Sequence, residues 1–329
     1  MCFKFRKGSD FYMLANYSTI IVLFAIIAMG YLIARKKKFT KEISAAMSFF
    51  VITFSLPAEI FLRITREFTK NDLIAVFKDA LLPLLVIILL FLSGFFLAKI
   101  FNKGNQTSGG FILCFASPSA AFIGFPIILG LYGDRGLPYA LLYYILTSLA
   151  TWTVGVTLIN KDGDRINGTK TTFSVMKLVK EVFSAPVIAF IIAGIFVFMG
   201  WHLPTIGQTF FNYIGETTSP LAMLFIGMSI YEIGLSKLKF TKEVLGILVG
   251  RFIVAPIIVV VFAKLLNVSS MMAAVCLIQA SLPVSNSVAI LTGERNIDVD
   301  VTDSSLTYSL LAYLVIFPVL MKLIDLFFI

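Results

Sequence analysis

Long apolar runs separated by short polar punctuation dominate this chain, and strict alternation of polar and apolar positions is absent. Charge-free stretches recur along it, among them 80–98, 104–133, 136–160 and 265–293. Crossing the hydrocarbon core of a bilayer takes roughly 20 apolar residues as a helix, whereas membrane strands need short alternating segments. The pattern therefore predicts transmembrane helices over 18–34, 44–64, 80–100, 110–132 and 137–159. A second set follows over 183–199, 217–233, 244–265, 271–292 and 304–327. The longest polar connection, 160–181, contains Asp162, Gly163, Asp164, Asn167 and Gly168 and reads as a linker. It divides the chain into a first five-helix half (1–159), the linker (160–181) and a second half (182–329).

Composition agrees. Of 329 residues, 59% are hydrophobic and 14% charged, against about a quarter charged in soluble domains. Mean hydropathy is +0.95. The net charge of +9 is carried by Lys and Arg flanking the spans, so it sets orientation and does not point to nucleic acid. The first polar side (RKKKFTK, the 3–4 loop, the linker, the 7–8 and 9–10 loops) holds the excess of basic residues. The linker is accordingly expected in the cytoplasm of a plasma-membrane protein, with both termini external. The basic start MCFKFRKGSD lacks an h-region and cleavage site, so no processing is expected. Cys2, Cys114 and Cys276 form no disulfide framework, and one histidine, His202, cannot build a metal cluster. No cofactor is expected. An intramembrane enzyme would need a nucleophile–base pair, an aspartate pair or a metal set at depth, and the sequence offers none.

The two halves carry ordered landmarks at nearly constant separation. AKIFN at 98–102 aligns with AKLLN at 263–267, and Pro118 with Pro283, both at an offset of 165. Gly30 falls on Gly194 at 164, and Pro57 on Pro220 at 163. Five is an odd number of crossings, so such halves are oppositely oriented, the inverted-repeat architecture of secondary transporters. Pro118 and Pro283 lie near the centres of spans four and nine, within ASPSAAFIGFP and QASLPVSNSVAI. Proline removes an amide donor and obstructs the carbonyl one turn earlier. A membrane proline can merely kink its helix. A broken helix, however, turns the positive N-terminus of its second half towards a bound anion. Matched positions in both halves favour the second reading. Ser117, Pro118, Ser119, Pro283, Ser285, Asn286 and Ser287 are then the candidate substrate-binding residues.

At these residues the sequence resembles the auxin efflux carrier family, which includes bacterial malate and malonate permease-like proteins. SPSAAFIGFPIILGLYG with GLPYALLYYI is similar to its fourth and fifth spans, and SLPVSNSVAILTGERNIDVD with SSLTYSLLAYLVIFP to its ninth and tenth. MGYLIARKKKFTKE, the FSLPAEIF around Pro57, SPLAMLFIGMSI and RFIVAP fit spans one, two, seven and eight. The resemblance implies an all-α integral membrane fold of ten helices in two inverted five-helix repeats, with helices 4 and 9 broken and crossing. It also implies a scaffold of helices 1, 2, 6 and 7, a candidate homodimer surface, beside transport helices 3–5 and 8–10. Many members carry Asn after the span-four proline, where this chain has Ser119; the second broken helix offers Asn286.

The expected function is a secondary transporter of small organic anions, mono- or dicarboxylates, working by alternating access. Proton or sodium coupling is open, with Glu59 and Gln279 as candidate coupling residues. Glu59 alternatively pairs with Arg63 one turn on or reaches the interface, and Arg251, about two turns into span eight, either attracts an anion or, the favoured reading, snorkels towards the cytoplasm. Glu294, Arg295, Asp298, Asp300 and Asp303 read as a solvated connection. The competing functions are a sodium-coupled symporter of a related ten-helix fold, which usually holds its ion with acidic or amide side chains where this crossing offers Gln279, Asn286 and serines but no carboxylate, and a non-transporting membrane sensor.

Overall fold

The computed structural model describes residues 10–36, 40–101, 107–168, 176, 179, 183–234 and 238–328. Among the described residues every regular element is helical. Helix α1 (Asp10–Arg35) is followed by α2 (Lys41–Phe50), a π-turn (Val51–Ser55) and α3 (Leu56–Glu67) as one rod. Then come α4 (Lys70–Lys78), α5 (Leu81–Phe101) and α6 (Gly109–Ala116). A second π-turn (Ala120–Gly124) leads into α7 (Phe125–Tyr132), and a third (Thr151–Gly155) joins α8 (Leu137–Ala150) to α9 (Val156–Asn167). The second half comprises α10 (Ala185–Met199), α11 (Thr205–Gly215), α12 (Thr218–Ile233), and α13 (Lys242–Val249) running through a π-turn (Gly250–Val254) into α14 (Ala255–Leu266). It closes with α15 (Ser270–Ala280), α16 (Asn286–Arg295) and α17 (Val299–Phe328).

These elements fall on the expected spans, with differences at the connections. Helix α9 continues to Asn167, into the stretch read as linker, and stops at Gly168, whose φ of +65° suits the left-handed cap that only glycine adopts without strain. The rest of the linker, apart from residues 176 and 179, lies outside the described residues, as do the first nine residues. Two short helices, α4 and α11, were not expected. Thr69 and Asp72 form a reciprocal capping box that starts α4.

Three of the four π-turns have one cause. Pro57, Pro126 and Pro256 each stand second in the α-helix after the turn, and each lacks the amide that would reach four residues back, to Thr53, Phe122 and Phe252. The helix accommodates the missing bond and the ring by widening locally.

Among the described residues, five helical stretches are long and apolar enough to cross a membrane: Glu42–Glu67, Lys70–Phe101, Ala120–Asn167, Lys242–Leu266 and Val299–Phe328. Helix α5 shows why they suit lipid. Leu82, Val86 and Leu90 are buried, while Leu84, Ile88, Leu92 and Phe96, on its other face, are exposed. A helix apolar on every side with one side uncovered belongs in hydrocarbon.

Helix α1 packs along α12, and α3 along α10, while α5, α6, α8, α15 and α17 pack around the centre. The α1–α12 seam is a backbone-to-backbone approach. A Cβ on Gly30 would overlap the Leu224 carbonyl, and one on Gly227 would overlap the Ile27 carbonyl. Membrane helices gain from such small-residue contacts because lipid supplies no hydrophobic drive between them. Gly194, the landmark aligned with Gly30, has open space instead. Gly227→Ala should therefore lower stability by about 1–3 kcal/mol through overpacking. Gly194→Ala should be neutral or stabilising by up to about 1 kcal/mol through helix propensity. Thermal unfolding midpoints of the two purified variants check this, and equal shifts would refute the seam.

Candidate functional site

The centre of the molecule is made by two helices that stop and touch. The residue before a proline is pushed out of helical conformation. Ser117, preceding Pro118, is extended (φ −103°, ψ 101°) and ends α6. Leu282 and Pro283 likewise follow the end of α15. The two freed segments then pair with one another as an antiparallel bridge between Pro118 and Val284. The Ser119 amide donates to the Pro283 carbonyl at 2.9 Å, and the Ser285 amide to the Ser117 carbonyl at 3.1 Å. Val284 donates to the Ser309 hydroxyl at 3.0 Å, so α17 supports the crossing. Ser117 Oγ is hydrogen-bonded to Thr151 Oγ1 at 2.8 Å, which ties in the span-five π-turn.

Arg251 corrects the sequence reading. It does not snorkel; it is fully buried. Its guanidinium donates Nε and Nη2 to the Leu282 carbonyl (2.8 and 2.5 Å), Nη2 also to the Pro283 carbonyl (3.1 Å), and Nη1 to the Phe115 carbonyl (3.0 Å). No carboxylate among the described residues forms a salt bridge with it. Burying the charge costs several kcal/mol. Four charge-assisted bonds, each worth roughly 1.5–3 kcal/mol, offset that cost. The partial negative charge at the C-terminal ends of α6 and α15 adds to this.

The opposite ends of both half-helices meet carboxylates. Asp162 accepts from the Ser108 and Gly109 amides at 2.8 and 2.7 Å, at the start of α6, and Asp298 accepts from the Thr107 hydroxyl beside it. At the start of α15, Asp79 accepts from the Ser269 amide at 3.1 Å and from its hydroxyl. Each half-helix thus has acid at its positive end and shares one guanidinium at its negative end. The expectation of a solvated 9–10 connection is therefore corrected in part. Asp298 clamps α6, and Arg295 donates to Asn160 Oδ1 at 2.8 Å, whereas Asp300 pairs with Lys239 in the open at 2.8 Å.

Beside the crossing lies a cavity of about 90 Å³. One water needs roughly 10–15 Å³ of such space, so the cavity admits a small organic molecule or several waters. Ser117, Pro118, Ser119, Ser285 and Ser287 all reach its wall. Asn286 is half-buried and does not line it. Pro283 is buried within the bridge. Among the described residues, no charged one lines this cavity. Sequence reading missed Thr147, Thr151, Trp152 and Ile52 on the wall. Thr147 and Thr151 are four apart on one helix, a spacing that puts both hydroxyls on one face. Thr147 Oγ1 is buried with no hydrogen-bond partner.

The two candidate coupling residues lie apart from the cavity wall. Gln279 is fully buried, with neither amide atom hydrogen-bonded, and a Cβ on Gly124 would overlap its Oε1. Glu59 is buried and accepts from Arg63 at 2.9 Å. Arg63 also pairs with Asp134, in the turn between α7 and α8.

A family model described as "Membrane transport protein" matches residues 16–321. An uncharacterized transporter of Methanocaldococcus jannaschii is 25% identical over 303 residues, covering 89% of this chain and 94% of the relative. The uncharacterized transporter YfdV of Escherichia coli is 25% identical over 307 residues (91% and 94%). An uncharacterized transporter of Methanothermobacter thermautotrophicus is 25% identical over 310 residues (93% and 97%).

The clamp on α6 has a pH signature. Burial raises the Asp298 carboxyl above the ordinary aspartate value, and the nearby charges of Asp162 and Glu243 push the same way, against hydrogen bonds from Thr107 and Gly110. The folded state therefore holds this proton more tightly than the unfolded one. Its contribution is most favourable below the unfolded value near 4 and declines as pH rises through the folded value. Asp298→Asn, which stays neutral, should match wild type at pH 4 and exceed it in thermal midpoint at pH 8. An unchanged difference between the two pH values would rule out this titration.

Proposed function

The chain belongs to the auxin efflux carrier family of membrane transport proteins, and we propose that it is a secondary transporter carrying small organic anions, mono- or dicarboxylates, across the plasma membrane by alternating access. The observation that carries this reading is the cavity at the crossing. Its wall combines serine and threonine hydroxyls with the starts of two second half-helices and, among the described residues, contains no charged side chain. The first N–H groups of a helix have no partner one turn earlier, and its N-terminus is electropositive. Such a site attracts a carboxylate without the grip of a buried Lys or Arg in direct contact, so the ligand can also leave. Individual contacts of this kind are worth about 0.5–1.5 kcal/mol.

In this reading the chain makes ten passes in two inverted repeats. The packing of α1 on α12 and of α3 on α10 supports it, because exchanging the halves turns one pair into the other. Each half also contributes one broken helix to the bridge. Spans one, two, six and seven form a scaffold against which the other six move. Arg63 on scaffold helix α3 pairs with Asp134 of the transport unit, at the end of the molecule away from the linker. The cavity reaches Pro186, in the first turn of α10 next to the linker. In this reading the linker side is the open one, and the Arg63–Asp134 pair is the contact that separates the cavity from the other. A half-exposed ion pair contributes about 0–1 kcal/mol, little enough to break in each cycle. Glu59 holds Arg63 for that contact, and Glu59 and Gln279 remain the proposed coupling positions.

A melting-point screen of mono- and dicarboxylates on purified protein, followed by flux in proteoliposomes for the hits, tests the substrate class. Ser119→Ala, on the cavity wall, should weaken apparent affinity severalfold or more, and Asn286→Ala, next to that wall in sequence but not on it, more mildly. Thr209→Ala, exposed and bonded only within its own helix, should be silent. Unchanged affinity in both site variants would move the site elsewhere. The gate has its own measurement in a cysteine-free background carrying Ala121→Cys on the cavity wall. Adding Asp134→Ala should speed labelling by an impermeant reagent from the Arg63 side. Labelling that stays slow would remove the pair from the gate.

A further inference from the structure

Arg251 takes no part in the cavity wall, yet it is held by the same backbone that forms the crossing. Carbonyls from two helix C-termini, Phe115 after α6's last turn begins and Leu282 and Pro283 after α15, converge on its guanidinium. The Pro283 carbonyl also receives the Ser119 amide, so one oxygen serves both the guanidinium and the bridge. The group is fixed from its own helix as well. It projects from the π-turn Gly250–Val254, where Gly250 is packed so tightly on the Phe115 ring that a Cβ would overlap it. In transporters with broken helices, unwound carbonyls and half-helix C-termini are the usual ligands of a coupling cation. Here a covalently attached cation already occupies that kind of position.

We propose that Arg251 is the resident cation of the crossing. It neutralises the two converging helix C-termini permanently, does the work an exchangeable sodium ion would do there, and makes substrate binding independent of sodium. With no carboxylate partner among the described residues, its charge goes to those carbonyls, which removes their negative potential from behind the adjacent cavity and leaves the half-helix N-termini to favour an anion there. The proposal rests on the carrier reading for its functional meaning. Its structural content concerns the protein without substrate.

The test therefore reads thermal midpoints of purified protein with no substrate present, then uptake. Wild type should melt at the same temperature in sodium chloride and in choline chloride. Arg251→Ala should lose roughly 5 °C or more. Millimolar guanidinium should restore part of that loss, while equal urea, choline or sodium should not, and uptake should follow the same order. Where Arg251→Ala gives no monodisperse protein, Arg251→Lys, which keeps the charge, should retain more of the midpoint than Arg251→Met, which keeps the bulk. A saturable sodium-dependent rise in the wild-type midpoint and uptake overturns the proposal. So does equal loss in the Lys and Met variants, or an Arg251→Ala protein that is as stable as wild type and indifferent to guanidinium. Because midpoints are read without substrate, failure here leaves the carboxylate reading standing. A failed carboxylate screen likewise leaves this one standing.

Discussion

A helix that stops inside an apolar medium strands backbone groups where no water can take them, and this chain stops two helices there. Everything at the centre follows from how those groups are satisfied. The two breaks pair reciprocally through Ser117, Ser119, Pro283 and Ser285. The C-terminal carbonyls that remain are collected by Arg251. Asp162, Asp298 and Asp79 complete the arrangement at the far ends of α6 and α15. Neither half-helix C-terminus would be tolerable alone at this depth, and one guanidinium serves both.

That arrangement frees the other side of the crossing. With the C-termini neutralised behind it, the N-terminal starts of the second half-helices face a cavity whose own wall is uncharged. The π-turns widen the rods where they border this space. Ile52, the stretch from Ala120 to Phe122, and Thr151 with Trp152 all come from π-turns, and all line the cavity. A fourth π-turn aims Arg251 at the carbonyls. Local helix irregularity is thus concentrated around the crossing and its cavity.

Rigid and separable contacts are also distributed in a sensible way. The α1–α12 seam is a glycine-mediated backbone contact with no room to slide. The link between α3 and the α7–α8 turn includes a half-exposed ion pair, Arg63–Asp134, of a kind that contributes little to stability. A carrier that moves one bundle against another needs both kinds of contact.

Much of this was legible in the sequence. Hydropathy located the apolar helices, five stretches of which are long enough to cross a membrane among the described residues, because burial in lipid demands apolar residues along the whole length of a helix. Pro118 and Pro283 marked the breaks, because proline acts on its own helix and needs no partner to do so. The prolines at 57, 126 and 256 carried the π-turns for the same local reason. Long-range partners were hidden. Arg251 reads in sequence as a charge near a helix end, and its ligands stand 31, 32 and 136 residues away. Asp298 looked like part of a solvated loop because nothing local reveals the α6 terminus beneath it. The sequence alone therefore determined the medium, the helices and the points at which they break. Which ends meet, and which charge satisfies them, only the tertiary structure decided, since a helix terminus gains its partner from whatever the fold brings to it.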